Sequence, residues 1–330
     1  MVEIKRRRGR GLPSIAKAKE DRASGRGRWT TQAGLMTLVA VVGGFVAHRI
    51  VTAHELKKDR AALMAKQRAI AVTLGQRWFP LRDRLEGEIL ASAKDYAGDA
   101  IEPAARRSAF RTQPGVYLRM RVADAKDAAS IRRVAAETPR DAFAACLLRE
   151  PNERAARGDA DAAAFAEQPW NLGQAYAATR ILTDDWALEV ETADDDLRLR
   201  VFEEQYDKAV RSEIPLAIDV VERAQFLLLA LDEDVPEAAK LVEGGPITEA
   251  ALQLVPHPTR VHVFDVASGR ELVRLRRTGE AQVIPVGERV ISDPEIVDAM
   301  QRQANNCALA GQVDLALATP PAPAPGAAGK

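Results

Sequence analysis

The longest apolar pattern in the chain is WTTQAGLMTLVAVVGGFVAH, residues 29–48, which lies between Arg28 and Arg49 and contains no residue with a formal charge at neutral pH. A helix of this length rises about 30 Å, the thickness of the hydrocarbon core of a bilayer. The alternative is a buried core helix, which the strongly basic segment in front of it disfavours. The pattern therefore predicts a single transmembrane helix over residues 29–48.

Helical spacing continues beyond this segment. Three apolar residues recur at intervals of seven: Leu56, Leu63 and Ile70. Arg60 and Gln67 stand where a coiled-coil seam requires apolar residues, so the pattern indicates a single helical stalk more than a long coiled coil. Pro80 predicts the end of the stalk, because proline lacks the backbone donor that a helix interior needs.

Several later segments have strand patterns. Residues 116–122 alternate between apolar and polar side chains, which predicts a half-buried strand. Apolar runs predict two further strands, over residues 143–148 and 226–231. Two alternating runs within residues 260–276 flank a short turn at Gly269 and predict a β-hairpin. Together these segments predict a sheet of about five strands.

Acidic residues mark the starts of the helices between these strands. Asp124, with Asp127 three residues later, predicts a capped helix. Asp194 to Asp196 lead into a helix whose inner face carries Leu199, Phe202, Tyr206 and Ala209. Asp293-Pro294-Glu295 predicts the start of the last helix, and the residues expected on its buried face are Ile296, Met300 and Cys307.

The mixture of helices and strands predicts an α+β protein. The expected organisation is a basic tail (1–28), the transmembrane helix (29–48), a membrane-proximal helical stalk (49–80), an α+β domain (81–316) and a Pro/Ala-rich tail (317–330). The two tails contain too few large apolar residues to form a core.

Charge indicates how the chain is oriented. Residues 1–28 carry ten Lys and Arg against three acids, a net charge of +7, so the remainder sums to −7. Basic residues beside a span favour the cytoplasmic side. We expect a bacterial inner-membrane protein with a cytoplasmic N-terminus and a periplasmic domain. The lipid bilayer is its first expected partner, and the basic tail is expected to contact lipid headgroups and not nucleic acid. Whether the segment is retained or cleaved after Val51-Thr52-Ala53 stays open.

Small residues within the span suggest a packing face. Ala40 and Gly44, and likewise Gly43 and Ala47, are separated by three residues. This spacing lets two membrane helices approach closely. A homodimer is therefore one expectation, and ordinary membrane glycines are the other.

Cys146 and Cys307 are the only cysteines. Their separation in the sequence matches no metal or redox motif. In an oxidising compartment they are a candidate disulfide; the alternative is two separate buried thiols.

The chain contains no recognisable catalytic, cofactor-binding or metal-binding motif. A Cys146–His262 dyad with Asp265 is conceivable, but no pattern brings those residues together. Acidic runs such as Asp232 to Asp234 lack the ligand spacing of a calcium loop and are interpreted as solvated. No catalytic residue, cofactor or metal is therefore predicted.

The preferred hypothesis for function is an interaction or scaffolding domain that belongs to an envelope assembly with protein partners. A membrane-anchored ligand-binding or sensory protein, or a membrane-tethered enzyme of unrecognised chemistry, is the alternative.

Overall fold

A computed structural model describes residues 27–106, 113–138, 141–148, 170–242, 244–283 and 293–319; for residues 27–50, 104 and 106 only the backbone is described. The chain divides into two units, residues 1–58 and 59–330. The described residues of the first unit are helical. The second contains the sheet and the other helices.

Helix α1 spans Gly27–Ser92 and contains Pro80 in its interior. The predicted helix end at Pro80 is therefore wrong. An interior proline costs a helix about 3 kcal/mol or more. Neighbouring side chains on both sides of it, Trp78, Leu85 and Ile89, are buried in the core, and this packing opposes the local penalty.

Among the described residues, no helix is both long enough and apolar enough to cross a membrane. The four small residues of the expected packing face, Ala40, Gly43, Gly44 and Ala47, belong to the part of α1 for which only the backbone is described. Their role in helix packing stays a prediction.

Beyond α1 the described elements follow in this order: β1 (Ala100–Ile101), α2 (Pro103–Arg106), β2 (Gly115–Arg121), α3 (Ala128–Glu137), α4 (Phe143–Leu148), β3 (Trp170–Asn171), α5 (Leu172–Thr179), α6 (Asp184–Glu191), α7 (Asp196–Lys208), α8 (Ile214–Arg223), β4 (Phe226–Asp232), α9 (Pro236–Ala239), α10 (Glu249–Leu252), β5 (Pro258–Asp265), β6 (Arg270–Thr278) and α11 (Pro294–Ala318).

The strands form one mixed sheet in the order β1-β6-β5-β4-β2-β3. β2 is parallel to β3 and β4, and the other neighbours are antiparallel. The α+β prediction is confirmed, with six strands in the described residues instead of about five. The hairpin is confirmed as β5 and β6, and Gly269 in its turn has a φ of 67°, a conformation that glycine adopts without strain.

Helices cover both faces of the sheet. On one face Tyr117, Leu228 and Val263 share a core with Leu147 of α4 and Leu309 of α11. On the other, Leu227 and Phe264 lie beside Leu85 of α1. Six of the seven residues of β2 are consequently buried, so the prediction of a half-buried strand is wrong.

Three local predictions are also wrong. Residues 143–148 form α4 and not a strand, because a short apolar run suits a buried helix as well as a strand. The N-cap of α3 is Asp127, whose side chain accepts a hydrogen bond from the Ser130 N–H, and not Asp124. On α11, Ile296 and Met300 are exposed, because this helix enters the core only in its second half, at Leu309 and Val313.

Candidate functional site

The structure brings Cys146 of α4 and Cys307 of α11 to disulfide distance. Their Cα atoms are 5.2 Å apart, inside the range that a disulfide requires. Both cysteines are half-buried. The pair therefore joins two helices on the same face of the sheet, across 161 residues of sequence.

A buried polar network lies on this face, at the carboxyl ends of β2 and β4. The Arg119 guanidinium donates to both carboxylate oxygens of Asp232, at 2.7 and 3.0 Å. Asp232 also accepts a hydrogen bond from the Thr259 hydroxyl at 2.7 Å, and His257 Nε2 lies 3.0 Å from it. Arg119 donates further to the Asn306 side-chain oxygen on α11. A charged pair with 1% and 0% of its side-chain surface exposed thus links the sheet to the last helix.

The charges in this network shift one another's pKa values. Although burial opposes it, Arg119 and His257 hold the pKa of Asp232 well below its ordinary value. Burial raises the pKa of Glu249, on α10, from 4.5 to about 8, with the Asp232 charge as the second cause. Gln253 donates to Glu249 and accepts from Asn306, so Glu249 belongs to the same network.

These contacts serve folding more directly than chemistry. Asp232 accepts hydrogen bonds from Arg119 and Thr259, and buried polar groups that are bonded in this way specify one arrangement of their elements. Within the described residues, no group of three or more His, Cys, Asp or Glu side chains could hold a metal ion. The interpretation of Asp232 as a solvated residue is wrong, because it is fully buried.

A second polar site lies on the opposite face of the sheet. The end of α1 and the loop after it cover a cavity of about 150 Å³ over β5 and β6. The residues that line it are Ala91, Ser92, Asp95, Tyr96, Ala97, His262, Phe264, Glu271 and Arg274. The hairpin register sets His262 opposite Arg274 and Phe264 opposite Glu271, across a bulge. All four side chains therefore reach the same face.

A histidine–carboxylate dyad is among the residues that line this cavity. His262 Nδ1 lies 2.7 Å from Glu271 Oε1, and the histidine is 2% exposed. Its other ring nitrogen, Nε2, is buried and has no hydrogen-bond partner among the described residues. The imidazole stacks on Phe264, with ring centroids 6.0 Å apart. A buried polar atom without a partner costs free energy, so this nitrogen is a locally unfavourable feature of the fold.

The conceived Cys146–His262–Asp265 arrangement is wrong. Cys146 lies beside Cys307, the partner of His262 is Glu271, and Asp265 accepts hydrogen bonds from Ser268 in the hairpin turn. The His262–Glu271 dyad was missed. Because the hairpin was predicted, pairing its two strands outward from the turn at Gly269 could have placed His262 and Glu271 on the same face of the sheet.

Comparison of the chain with protein-family models, with curated proteins and with solved structures finds no match. Function must therefore be argued from the geometry of this chain.

Proposed function

We propose that the chain is a membrane-anchored protein whose α+β domain lies in the bacterial periplasm and serves as an interaction module in an envelope assembly. The observation that carries the location is the Cys146–Cys307 pair at disulfide distance. Disulfides form and persist in oxidising compartments and are rare in the reducing cytosol.

The proposed anchor rests on the sequence. Residues 29–48 are uncharged, and the net charge of +7 in front of them favours retention of the N-terminus in the cytoplasm. The same helix, α1, then contributes Leu63 and Trp78 to the core of the second unit. The short basic tail, the anchor and the domain make up the organisation expected of a tethered module.

An exposed apolar surface supports the interaction role. Ile296, Val297 and Met300 at the start of α11 have 48, 41 and 37% of their surface exposed. Met300 lies four residues after Ile296 and three after Val297, so its side chain adjoins both on the helix surface. Clustered exposed apolar side chains are a common mark of a protein-binding surface, and these three define the α11 surface.

Reporter fusions test the location. A reporter enzyme that works only after export, fused after Lys330, should be active, and one that works only in the cytoplasm should be inactive at the same position. Cys146 and Cys307 should then resist alkylation until a reductant is added. The reverse pattern of reporter activity would overturn the proposed location.

Photo-crosslinking tests the interaction role. A photoreactive residue placed at Val297 of the full chain should form a discrete adduct with a protein in the living cell. The control is the same residue at Glu204, an exposed position on α7. Equal yields at both positions would contradict a binding role for the α11 surface.

A further inference from the structure

Hydrogen bonds join α10 to α11 beside the buried Arg119 network. Gln253, which directly follows α10, donates its side-chain amide to Glu249 at 2.9 Å and accepts from the Asn306 amide at 3.2 Å. Its backbone carbonyl accepts from the Asn305 amide at 2.9 Å. Gln253 and both asparagines are buried. Glu249, Gln253, Asn305 and Asn306 define the α10 contact.

The positive charge closest to this contact is already paired with aspartates. The Arg119 guanidinium binds both carboxylate oxygens of Asp232 and lies 3.7 Å from Asp141. Glu249 forms no ion pair within the part of the chain that the structure describes, and its hydrogen-bond donor is the uncharged amide of Gln253. The Glu249 carboxyl therefore lacks a cation of its own.

The charges that act on Glu249 from neighbouring elements are mostly negative. They belong to β2, the loop after it, the residues before α4, and β4, and they are Arg119, Asp124, Asp141 and Asp232. The three aspartates disfavour an ionised Glu249, and the arginine favours it. Burial acts in the same direction as the aspartates and is the largest cause, so the pKa of Glu249 is raised to about 8.

The other ionisable groups at this edge of the sheet do not reverse the balance. Each has an acidic neighbour: Arg121 lies beside Asp234, His257 beside Asp232 and Tyr117 beside Asp141. A protonated histidine would add one positive charge to the two arginines, which still leaves three cations against five carboxylates, Asp124, Asp141, Asp232, Asp234 and Glu249. From α11, the contact receives the uncharged amides of Asn305 and Asn306.

Ionisation of Glu249 therefore acts against the placement of α10. This helix is a single turn, Glu249–Leu252, so it can move without disrupting a longer element. A carboxylate that leaves a buried, negatively charged position for water regains its hydration. Because Gln253 bonds to both Glu249 and α11, the same movement breaks the bonds to the two asparagines. Local openings of this kind require less free energy than global unfolding.

We infer that the α10 contact is a pH-sensitive switch: α10 is held against α11 while Glu249 carries a proton, and loss of that proton raises the population of a state in which α10 has separated from α11. The switch is independent of the interaction role of the α11 surface.

Hydrogen exchange of the detergent-solubilised full chain tests the switch at pH 6, 7 and 8. The reporters are the backbone amides of Leu252 and Gln253, which donate to the Thr248 and Glu249 carbonyls. Their protection, corrected for the intrinsic pH dependence of exchange, should fall by up to about tenfold for each pH unit, because the open state has lost a proton that the closed state keeps.

Urea separates this local opening from global unfolding. A low, non-denaturing concentration of urea should accelerate exchange at Leu229 in the buried strand β4 and leave exchange at Leu252 almost unchanged, because a local opening exposes little surface. Corrected protection at Leu252 that stays constant from pH 6 to pH 8, or that responds to urea as strongly as Leu229, would overturn the inference.

Variants connect the pH dependence to the Glu249 carboxyl. Glu249→Gln cannot ionise, so at pH 8 the Leu252 amide should keep the protection that it has in the natural chain at pH 6. Glu237→Gln, at an exposed position on the equally short helix α9, is the matched control and should lose protection at Leu252 as the natural chain does. A Glu249→Gln chain that still loses this protection as pH rises would assign the effect to another group and contradict the switch.

Discussion

Arg119 and Asp232 are charged residues that the local sequence predicts to be exposed and that the fold buries. In the alternation of β2, Arg119 occupies a polar position that is typical of a solvent-facing side chain. In the fold it is 1% exposed, because α4 and α11 cover that face of the sheet. Its charge is tolerated because Asp232 accepts two of its hydrogen bonds. A buried pair of this kind contributes little net stability, but removal of one partner is costly because it leaves the other charge uncompensated.

Arg119→Met should accordingly lower the free energy of unfolding by about 3–5 kcal/mol. Urea titration of the detergent-solubilised full chain measures the loss. The control is Arg77→Met, which removes an exposed pair with Glu222 and should have a much smaller effect. An Arg119→Met variant no less stable than Arg77→Met would mean that the buried charge of Asp232 finds another partner.

The raised pKa of Glu249 predicts a dependence of stability on pH. The pKa of the Glu249 carboxyl rises from its ordinary value of 4.5 to about 8 in the folded chain. Between these pH values the folded chain therefore keeps a proton that the unfolded chain has lost. Stability contributed by this group therefore falls as pH rises from about 4.5 to about 8 and levels off above that. The lowered pKa of Asp232 acts in the opposite sense and at lower pH, where its contribution is lost as pH falls below its ordinary range.

Glu249→Gln mimics the protonated side chain and should remove this slope. The variant is expected to match the natural chain near pH 5 and to be more stable at pH 8, as measured by urea midpoints at both pH values. Glu237→Gln, at an exposed position on α9, should leave the slope unchanged. A natural chain with no loss of stability between pH 5 and pH 8 would contradict the shifted pKa.

At the scale of elements, alternating and helical patterns predicted structure well, whereas the two short apolar runs gave one correct strand and one wrong one. The strand at residues 226–231, the hairpin and the helix carrying Leu199, Phe202 and Tyr206 are confirmed. Residues 143–148 failed because six apolar residues do not distinguish a buried strand from a buried helix. Pro80 failed because tertiary packing decided the helix end. The Cys146–Cys307 pair could be predicted because the chain has only two cysteines. The cavity could not be predicted, because it depends on how α1 lies over the hairpin, which no local pattern encodes.

Two glycines in contrasting surroundings test how these elements pack. At Gly279, just after β6, a Cβ would lie 2.4 Å from the Asn305 carbonyl and 2.7 Å from Leu309 of α11. Gly279→Ala should therefore destabilise the fold by about 1–3 kcal/mol, the usual cost of overpacking. Gly87, exposed in α1, has nothing within 4 Å of such a Cβ, and Gly87→Ala should stabilise by about 0.5–1 kcal/mol because glycine is a poor helix former. Thermal unfolding midpoints that move in the same direction would contradict this account.

At the scale of the whole molecule, one helix contains both the uncharged segment and the residues that enter the domain core. Gln67, which interrupts the apolar seam of a coiled coil, donates its side-chain amide to the Ile181 carbonyl and is 5% exposed. Leu63, a position of that seam, is fully buried in the same chain. The heptad positions after residue 58 are thus used within the domain. A second copy of the chain would have to associate through another surface, and the small residues of the proposed span are the expected one.

Gly44→Leu should therefore weaken association of the chain in a membrane two-hybrid assay, because a bulky side chain prevents the close approach that small-xxx-small spacing allows. Gly34→Leu is the matched control: it makes the same change in the same uncharged segment, and helical spacing places it away from the side shared by Ala40, Gly44 and Ala47. Weakening by Gly44→Leu alone would support a dimer that forms through the span. Equal association of both variants would leave these glycines as ordinary membrane residues and would favour a chain that meets its partners through the domain.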